Sequence, residues 1–95
     1  MKLGFIGTGK IASSVITGIC KSKIRYKNIS ISSRNKKISN NLKKKFKKVH
    51  IVKDNQQIVN QCDWIFLSIT PSVGNKIIKR LKFRSNQIII SFIST

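Results

Sequence analysis

Apolar and polar residues occur in regular blocks along this chain, and the blocks predict five strands separated by four helices. The strands are short apolar segments that end at glycine, proline or polar residues. The helices carry apolar residues three or four positions apart, as in Ile11, Val15 and Ile19. The predicted strands are 2–7, 28–32, 50–52, 64–69 and 87–92, and the predicted helices are 10–22, 35–48, 54–61 and 73–81.

Residues that favour helix N-termini precede three of these helices. Ser33 or Asn35 is expected to cap the second helix, and Asp54 or Asn55 the third. Pro71 ends the fourth strand, so that Ser72 is expected to cap the fourth helix.

Strand and helix alternate strictly, and this alternation predicts the fold class. Parallel strands need long crossover connections, and helices in these crossovers cover the sheet. Residues 64–67 are continuously apolar, as expected for a strand that is covered on both faces. We therefore predict an α/β fold with a doubly wound parallel sheet of the Rossmann type, with five strands in this chain and the sheet incomplete.

The charge of the chain is strongly unbalanced, with 20 Lys and Arg against 2 Asp and Glu and a net charge of +18. The acids are Asp54 and Asp63, so a catalytic carboxylate pair exists only if these two converge. An acidic metal cage is excluded. One histidine, His50, and two distant cysteines, Cys20 and Cys62, argue against a zinc site, so no metal is predicted.

The excess of lysine raises the alternative of a basic, polyanion-binding protein. The densest basic run, residues 43–48, surrounds Phe46, which continues the apolar stripe of Ile38 and Leu42. These lysines then form the solvated face of an amphipathic helix, and we predict no specific nucleic-acid partner. No apolar run approaches the ~20 residues of a membrane span, and the low cysteine content favours a cytoplasmic location.

A glycine motif with the spacing G-x-G-x-x-A follows the first strand and opens the first helix, at Gly7-Thr8-Gly9-Lys10-Ile11-Ala12. The first glycine permits a tight turn, the second lets a pyrophosphate approach the backbone, and the alanine lets the helix pack closely on the strand. Placed at the first strand–helix junction of an alternating pattern, the motif predicts dinucleotide binding at the helix N-terminus. The alternative is a tight turn in another α/β fold.

The segment after the second strand predicts which dinucleotide binds. NAD-specific sites usually carry an acidic residue there, for the ribose hydroxyls. This chain instead has hydroxyl, amide and basic side chains, at Ser32, Ser33, Arg34, Asn35, Lys36 and Lys37. Such groups favour a 2′-phosphate, so we predict NADP(H), with Ser33 and Arg34 as contacts and Lys36 or Lys37 as helpers. The alternative is that Arg34 is one more surface cation.

Several segments together resemble the N-terminal domain of pyrroline-5-carboxylate reductases: residues 4–9, Ala12, Ser33-Arg34, Asn55, 62–67, Pro71 and 89–91. The resemblance covers essentially the whole chain. It implies NADPH-dependent reduction of 1-pyrroline-5-carboxylate to L-proline, the last step of proline biosynthesis. In that family a helical C-terminal domain follows, which dimerises and helps to hold the substrate. The resemblance therefore implies that residues 1–95 are a truncated N-terminal dinucleotide-binding domain of a homo-oligomeric enzyme, with no catalytic residue assigned.

The resemblance also implies which residues contact the cofactor. By this resemblance, Ser33 contacts the 2′-phosphate or ribose, and Asn55 contacts the adenosine. The pyrophosphate is contacted by Ile6, Gly7, Thr8, Gly9, Lys10 and Ile11. The nicotinamide side of the site is lined by Ser68, Ile69, Thr70 and Pro71, and by Phe92, Ile93 and Ser94. The chain departs from the usual family pattern at Lys10, Ile11 and Thr70 and at 93–95. Two alternatives stay open: another small-substrate reductase or dehydrogenase with the same nucleotide domain, and a nonenzymatic nucleotide-binding remnant.

Overall fold

Five parallel strands and four helices make up the computed structural model, which describes residues 1–33 and 35–92. The strands are β1 Lys2–Ile6, β2 Asn28–Ser32, β3 Val49–Val52, β4 Trp64–Leu67 and β5 Ile88–Ser91. The helices are α1 Lys10–Lys21, α2 Lys36–Lys45, α3 Asn55–Gln61 and α4 Pro71–Arg80. The predicted alternation of strand and helix is confirmed.

The strands form one sheet in the order β3-β2-β1-β4-β5, and every pairing is parallel. From β1 the chain builds outward to β3, then returns to place β4 on the other side of β1. The strand order therefore reverses between β1 and β4. This topology confirms the predicted doubly wound fold, and it opens a crevice at the carboxyl ends of β1 and β4, where such sheets bind ligands.

Each face of the sheet has its own apolar core. On one face, α1 and α2 cover a cluster that includes Leu3, Phe5, Ile16, Leu42 and Phe66. The rings of Phe5 and Phe66, which are paired in the register of β1 and β4, stack with centroids 4.4 Å apart. On the other face, α3 and α4 cover a cluster formed by Ile6, Ile58, Val59, Cys62, Ile65 and Leu67, with Ile77 and Ile78 packed against it. Alternate strand residues thus point to opposite cores.

Helix α3 lies very close to β1 because Gly4 has no side chain. A Cβ atom at this position would come within 2.6 Å of Cγ2 of Ile58 and 2.9 Å of Sγ of Cys62. Burial raises the pKa of the Cys62 thiol, which is free and fully enclosed. This cysteine therefore behaves as a small core residue.

Three boundaries differ from the predictions by two or three residues, and the others differ by one residue at most. Helix α4 begins at Pro71 with Thr70 as its N-cap, rather than after Ser72, because the fixed φ of proline suits the first helical position. Helix α2 ends at Lys45 rather than at 48, since Phe46 adopts an extended conformation and packs against the core. Strand β4 ends at Leu67 instead of 69. Of the two candidate caps of α2, Asn35 is the one that accepts the N–H of Ile38.

The two acidic residues do not converge, because they flank opposite ends of α3. Asp54 caps this helix by accepting the backbone N–H of Gln56 at 3.0 Å. Asp63 accepts the backbone N–H of Lys2 at 2.8 Å, next to the start of β1. In residues 1–33 and 35–92, no group of three His, Cys, Asp or Glu side chains is placed to hold a metal ion. The helices found there are too short or too polar to cross a membrane.

Candidate functional site

The glycine turn after β1 packs directly against the loop after β4. Gly7 has φ +93°, and it is the glycine of the described segments with a left-handed backbone. A Cβ atom there would clash with the carbonyl oxygen of Ser68 and approach Cγ2 of Ile69 to 2.5 Å. Only glycine fits at position 7, because the backbone there is left-handed and because the two loops are in close contact.

Gly9 has a different role, because space is open around it. A Cβ atom at Gly9 would meet no atom within 4 Å. Gly9 is the N-cap of α1, and its carbonyl accepts the N–H of Ser13 at 3.0 Å, but no side chain caps the helix. The N–H groups of the first turn lack intrahelical partners and are directed along the helix axis toward this space. The turn thus offers backbone donors and room for a phosphate group, which fits a dinucleotide.

Buried hydroxyl groups fix the glycine turn to β2 and α2. Oγ of Ser32 accepts the backbone N–H of Gly7 at 2.9 Å. Oγ of Ser39 on α2 donates to the carbonyl of Ser32 at 2.8 Å and lies 3.3 Å from Oγ1 of Thr8. Ser32, Ser39 and Thr8 are each less than 5% exposed. The turn is therefore held before any ligand binds.

Three adjoining clefts lie at the carboxyl ends of the strands. The central cleft, about 570 Å³, is lined by Gly7, Thr8, Gly9, Asn35, Lys36, Ser68, Ile69, Thr70 and Val73. The β2–β3 cleft, about 250 Å³, is lined by Ile6, Gly7, Ser32, Ser33, Lys53, Asn55, Ile69 and Ile77. The β5 cleft, about 340 Å³, is lined by Gly9, Lys10, Ile11, Ser68, Ile69, Thr70, Pro71 and Phe92. Shared lining residues join the three into one crevice across the sheet edge.

The predicted cofactor contacts come together in this crevice. Ile6, Ser33 and Asn55 line the β2–β3 cleft, whereas the remaining described contacts line the other two. Arg34, Ile93 and Ser94 lie outside the described residues. The two lysine helpers are separated: Lys36 lines the central cleft, while Lys37 lies on a separate depression along α2.

The two ends of the crevice differ in chemistry. The β5 cleft has an apolar wall that includes Ile11, 57% exposed, together with Pro71 and Phe92. Lys10 contributes a positive charge to the lining of this cleft, and Thr70 contributes a hydroxyl group. The β2–β3 cleft is more polar, with serine, asparagine and lysine side chains. Neither Asp nor His is among the lining residues of these three clefts. A further depression of about 310 Å³ shares Lys53, Asn55 and Ile77 with the β2–β3 cleft and includes Asp54 in its lining.

Three lining residues were missed by the sequence analysis: Lys53 in the loop after β3, and Val73 and Ile77 in helix α4. Lys53 follows β3 and lines the β2–β3 cleft, and Val73 in the first turn of α4 lines the central cleft. The rule that ligands bind at the carboxyl ends of parallel strands could have indicated Lys53, since it leaves the sheet directly after Val52. No periodic signal indicated Val73.

The chain matches the family described as NADP oxidoreductase, coenzyme F420-dependent, over residues 2–95. It belongs to this family. Family membership together with the glycine crevice confirms the prediction of an NADP(H)-binding oxidoreductase domain.

Three solved structures share the fold of this chain. The 1-pyrroline-5-carboxylate reductase of Streptococcus pyogenes is 31% identical, with a TM-score of 0.78 over 99% of this chain. The pyrroline carboxylate reductase of Plasmodium falciparum, solved with NADP bound, is 23% identical with a TM-score of 0.79 over 98%. A diketoreductase is 15% identical with a TM-score of 0.72 over 100%. This chain covers 34%, 33% and 42% of those three chains, respectively. The predicted resemblance to pyrroline-5-carboxylate reductases is confirmed.

Proposed function

We propose that this chain is the N-terminal NADP(H)-binding domain of a pyrroline-5-carboxylate reductase, which reduces 1-pyrroline-5-carboxylate to L-proline. The observation that carries the proposal is the open cradle at Gly9, placed at the strand-order reversal of the sheet. The 31% identity to the Streptococcus pyogenes reductase, over nearly the whole chain, supports this substrate over others of the same fold.

In this proposal the cofactor extends along the crevice from the β2–β3 cleft to the β5 cleft. The first-turn N–H groups of α1 hold the diphosphate in the central cleft, where a bare Gly9 leaves room for it. Ser33 and Asn55 hold the adenosine end, and Arg34 stays a predicted contact there. Ser68, Ile69 and Thr70 form the wall that the central and β5 clefts share.

The nicotinamide end lies in the β5 cleft. NADPH, when bound, supplies the hydride that reduces the substrate. Ile11, Pro71 and Phe92 exclude water from one side of the ring and orient it, whereas Lys10 adds positive charge at the same end. Ile93 and Ser94 stay predicted contacts of this end. Substrate binding and homo-oligomer formation belong to a helical C-terminal domain of the longer enzyme, and the cytoplasmic location stays a prediction.

The cofactor site is tested by a matched pair of glycine substitutions. In Gly9→Ala a methyl group enters open space, so we expect an unchanged fold. The methyl group reduces the room that this proposal assigns to the diphosphate. We expect NADPH affinity to fall at least about tenfold, equivalent to about 1.4 kcal/mol. Gly18→Ala is the control, because a Cβ atom at Gly18 also meets no atom within 4 Å. We expect unchanged NADPH binding and a free energy of unfolding that rises by up to about 1 kcal/mol, since alanine favours the helix over glycine.

Equilibrium titration of NADPH, with circular dichroism to verify the fold, measures both effects. If Gly9→Ala remained folded and bound NADPH as tightly as the wild type, the proposed cradle would be wrong. The substrate is tested separately on the native protein, by NADPH oxidation with 1-pyrroline-5-carboxylate or with a dicarbonyl compound. Proline formation supports the proposal, dicarbonyl reduction alone favours another reductase, and NADPH binding without either reaction favours a nonenzymatic nucleotide-binding remnant.

A further inference from the structure

Lys53 lies beside the segment that was predicted to recognise the 2′-phosphate. In the register of the sheet, Ser32 on β2 pairs with Val52 on β3. The next residue of each strand, Ser33 and Lys53, therefore leaves the sheet at the same level on neighbouring strands. Both line the β2–β3 cleft, together with Asn55.

The ammonium group of Lys53 is available to a ligand. Lys53 is exposed, and its side chain makes no hydrogen bond, ion pair or ring contact within residues 1–33 and 35–92. The adjacent carboxylate, that of Asp54, accepts the N–H of Gln56. It lines the neighbouring depression with Lys53 but not the β2–β3 cleft itself. The cleft thus combines a lysine, a hydroxyl group and an amide side chain, with no acidic residue in its lining. These donors fit a phosphate monoester.

We propose that Lys53 is a specificity-determining residue that binds the 2′-phosphate of NADP(H) from the β3 side, opposite Ser33. The inference rests on the proposed cofactor site and adds a contact from a second loop to it. A lysine in this position distinguishes the two dinucleotides, because NADH has only a hydroxyl group where NADPH has a phosphate. A lysine that contacted the adenine ring or the diphosphate would instead affect both cofactors equally.

The test compares NADPH and NADH titrations of the chain at one fixed ionic strength. Lys53→Gln is expected to weaken NADPH binding about tenfold, as for the loss of one charge-assisted hydrogen bond, and to change NADH binding less than about twofold. Lys53→Arg keeps the charge and is expected to retain most of the preference for NADPH.

Lys23→Gln controls for the general loss of one positive charge. Lys23 is exposed in the connection between α1 and β2, at the amino ends of the strands and therefore across the sheet from the crevice. We expect this variant to bind both cofactors like the wild type at the chosen ionic strength.

Three outcomes would overturn the inference. These are an equal loss of NADPH and NADH affinity in Lys53→Gln, no loss of either, or an equal effect of Lys23→Gln. None of them affects the proposed cofactor site, which the wild-type titration and Gly9→Ala test. Conversely, a wild-type chain that bound neither dinucleotide would contradict the proposed site itself, and the inference about Lys53 with it.

Discussion

Replacement of Ser32 by alanine tests whether the glycine turn is held in place by β2. The substitution removes the hydroxyl oxygen that accepts the N–H of Gly7 at 2.9 Å. It leaves the backbone of Ser32 intact, so the hydrogen bond from Ser39 to the carbonyl of residue 32 can persist. The change is therefore limited to one anchor of the turn.

The expected loss follows from burial. Ser32 is 4% exposed and Gly7 is buried, so only a small part of either residue meets the water of the cleft that both line. An unsatisfied buried donor costs about 1–3 kcal/mol, and we expect the free energy of unfolding to fall by that amount. NADPH affinity should fall as well, because the backbone donors of the turn are no longer held in one geometry.

Urea denaturation followed by the fluorescence of Trp64, which is the single tryptophan of the chain and packs against the core, measures the loss. Ser30→Ala is the matched control, since Ser30 lies two residues earlier on β2 and is equally exposed at 4%. Its hydroxyl group interacts with the Cys62 thiol, a weak hydrogen-bonding partner, so we expect a loss below about 1 kcal/mol and unchanged NADPH binding.

The reasoning would be refuted if the two serine variants lost the same stability, or if Ser32→Ala bound NADPH like the wild type. Equal losses would mean that burial of any serine in β2 explains the effect. Unchanged binding would mean that the turn keeps its geometry without the Ser32 anchor.

Two further substitutions follow from the structure. Gly7→Ala should lower the free energy of unfolding by at least about 2 kcal/mol in urea denaturation, because of the φ of +93° and the clash with Ser68, and a stability equal to the wild type would contradict it. Partial burial and the neighbouring Cys20 thiol raise the pKa of Tyr26 to about 12, so an absorbance titration should show tyrosine ionising about two units above pH 10. This raised pKa stabilises the fold below pH 10 and the stabilisation is lost as the pH rises toward 12, whereas Cys20→Ala should lower the tyrosine pKa.

The fold was predictable because strong periodic signals determined it. Short apolar runs alternated with amphipathic segments, and the glycine motif followed the first strand, so element order and fold class could be derived without homologues. The ends of the helices were harder to predict, because the residues near a helix end are compatible with more than one end position. Phe46 continues the apolar stripe of α2, yet it leaves the helix and still reaches the core.

The part of the site that one sequence motif defines could be predicted. The part that depends on how the helices pack on the sheet could be predicted less well. The glycine turn needed only sequence spacing. In contrast, Lys36 and Lys37 are both plausible phosphate ligands, and only the docking of α2 places one at the central cleft and the other away from it. The hydroxyl network of Thr8, Ser32 and Ser39 joins residues from three elements, and single serines carry no periodic signal.

The positions of Asp54 and Asp63 leave the linings of the three clefts of this very basic chain without an acidic side chain. Asp54 accepts the backbone N–H of Gln56, and Asp63 accepts that of Lys2. Neither carboxylate lines any of the three clefts, whose linings include Lys10, Lys36 and Lys53. A bound dinucleotide phosphate would then relieve charge repulsion within the domain as well as fill a cleft. The nucleotide would be a structural counterion in addition to a reactant, so the folded state would depend on its concentration through mass action.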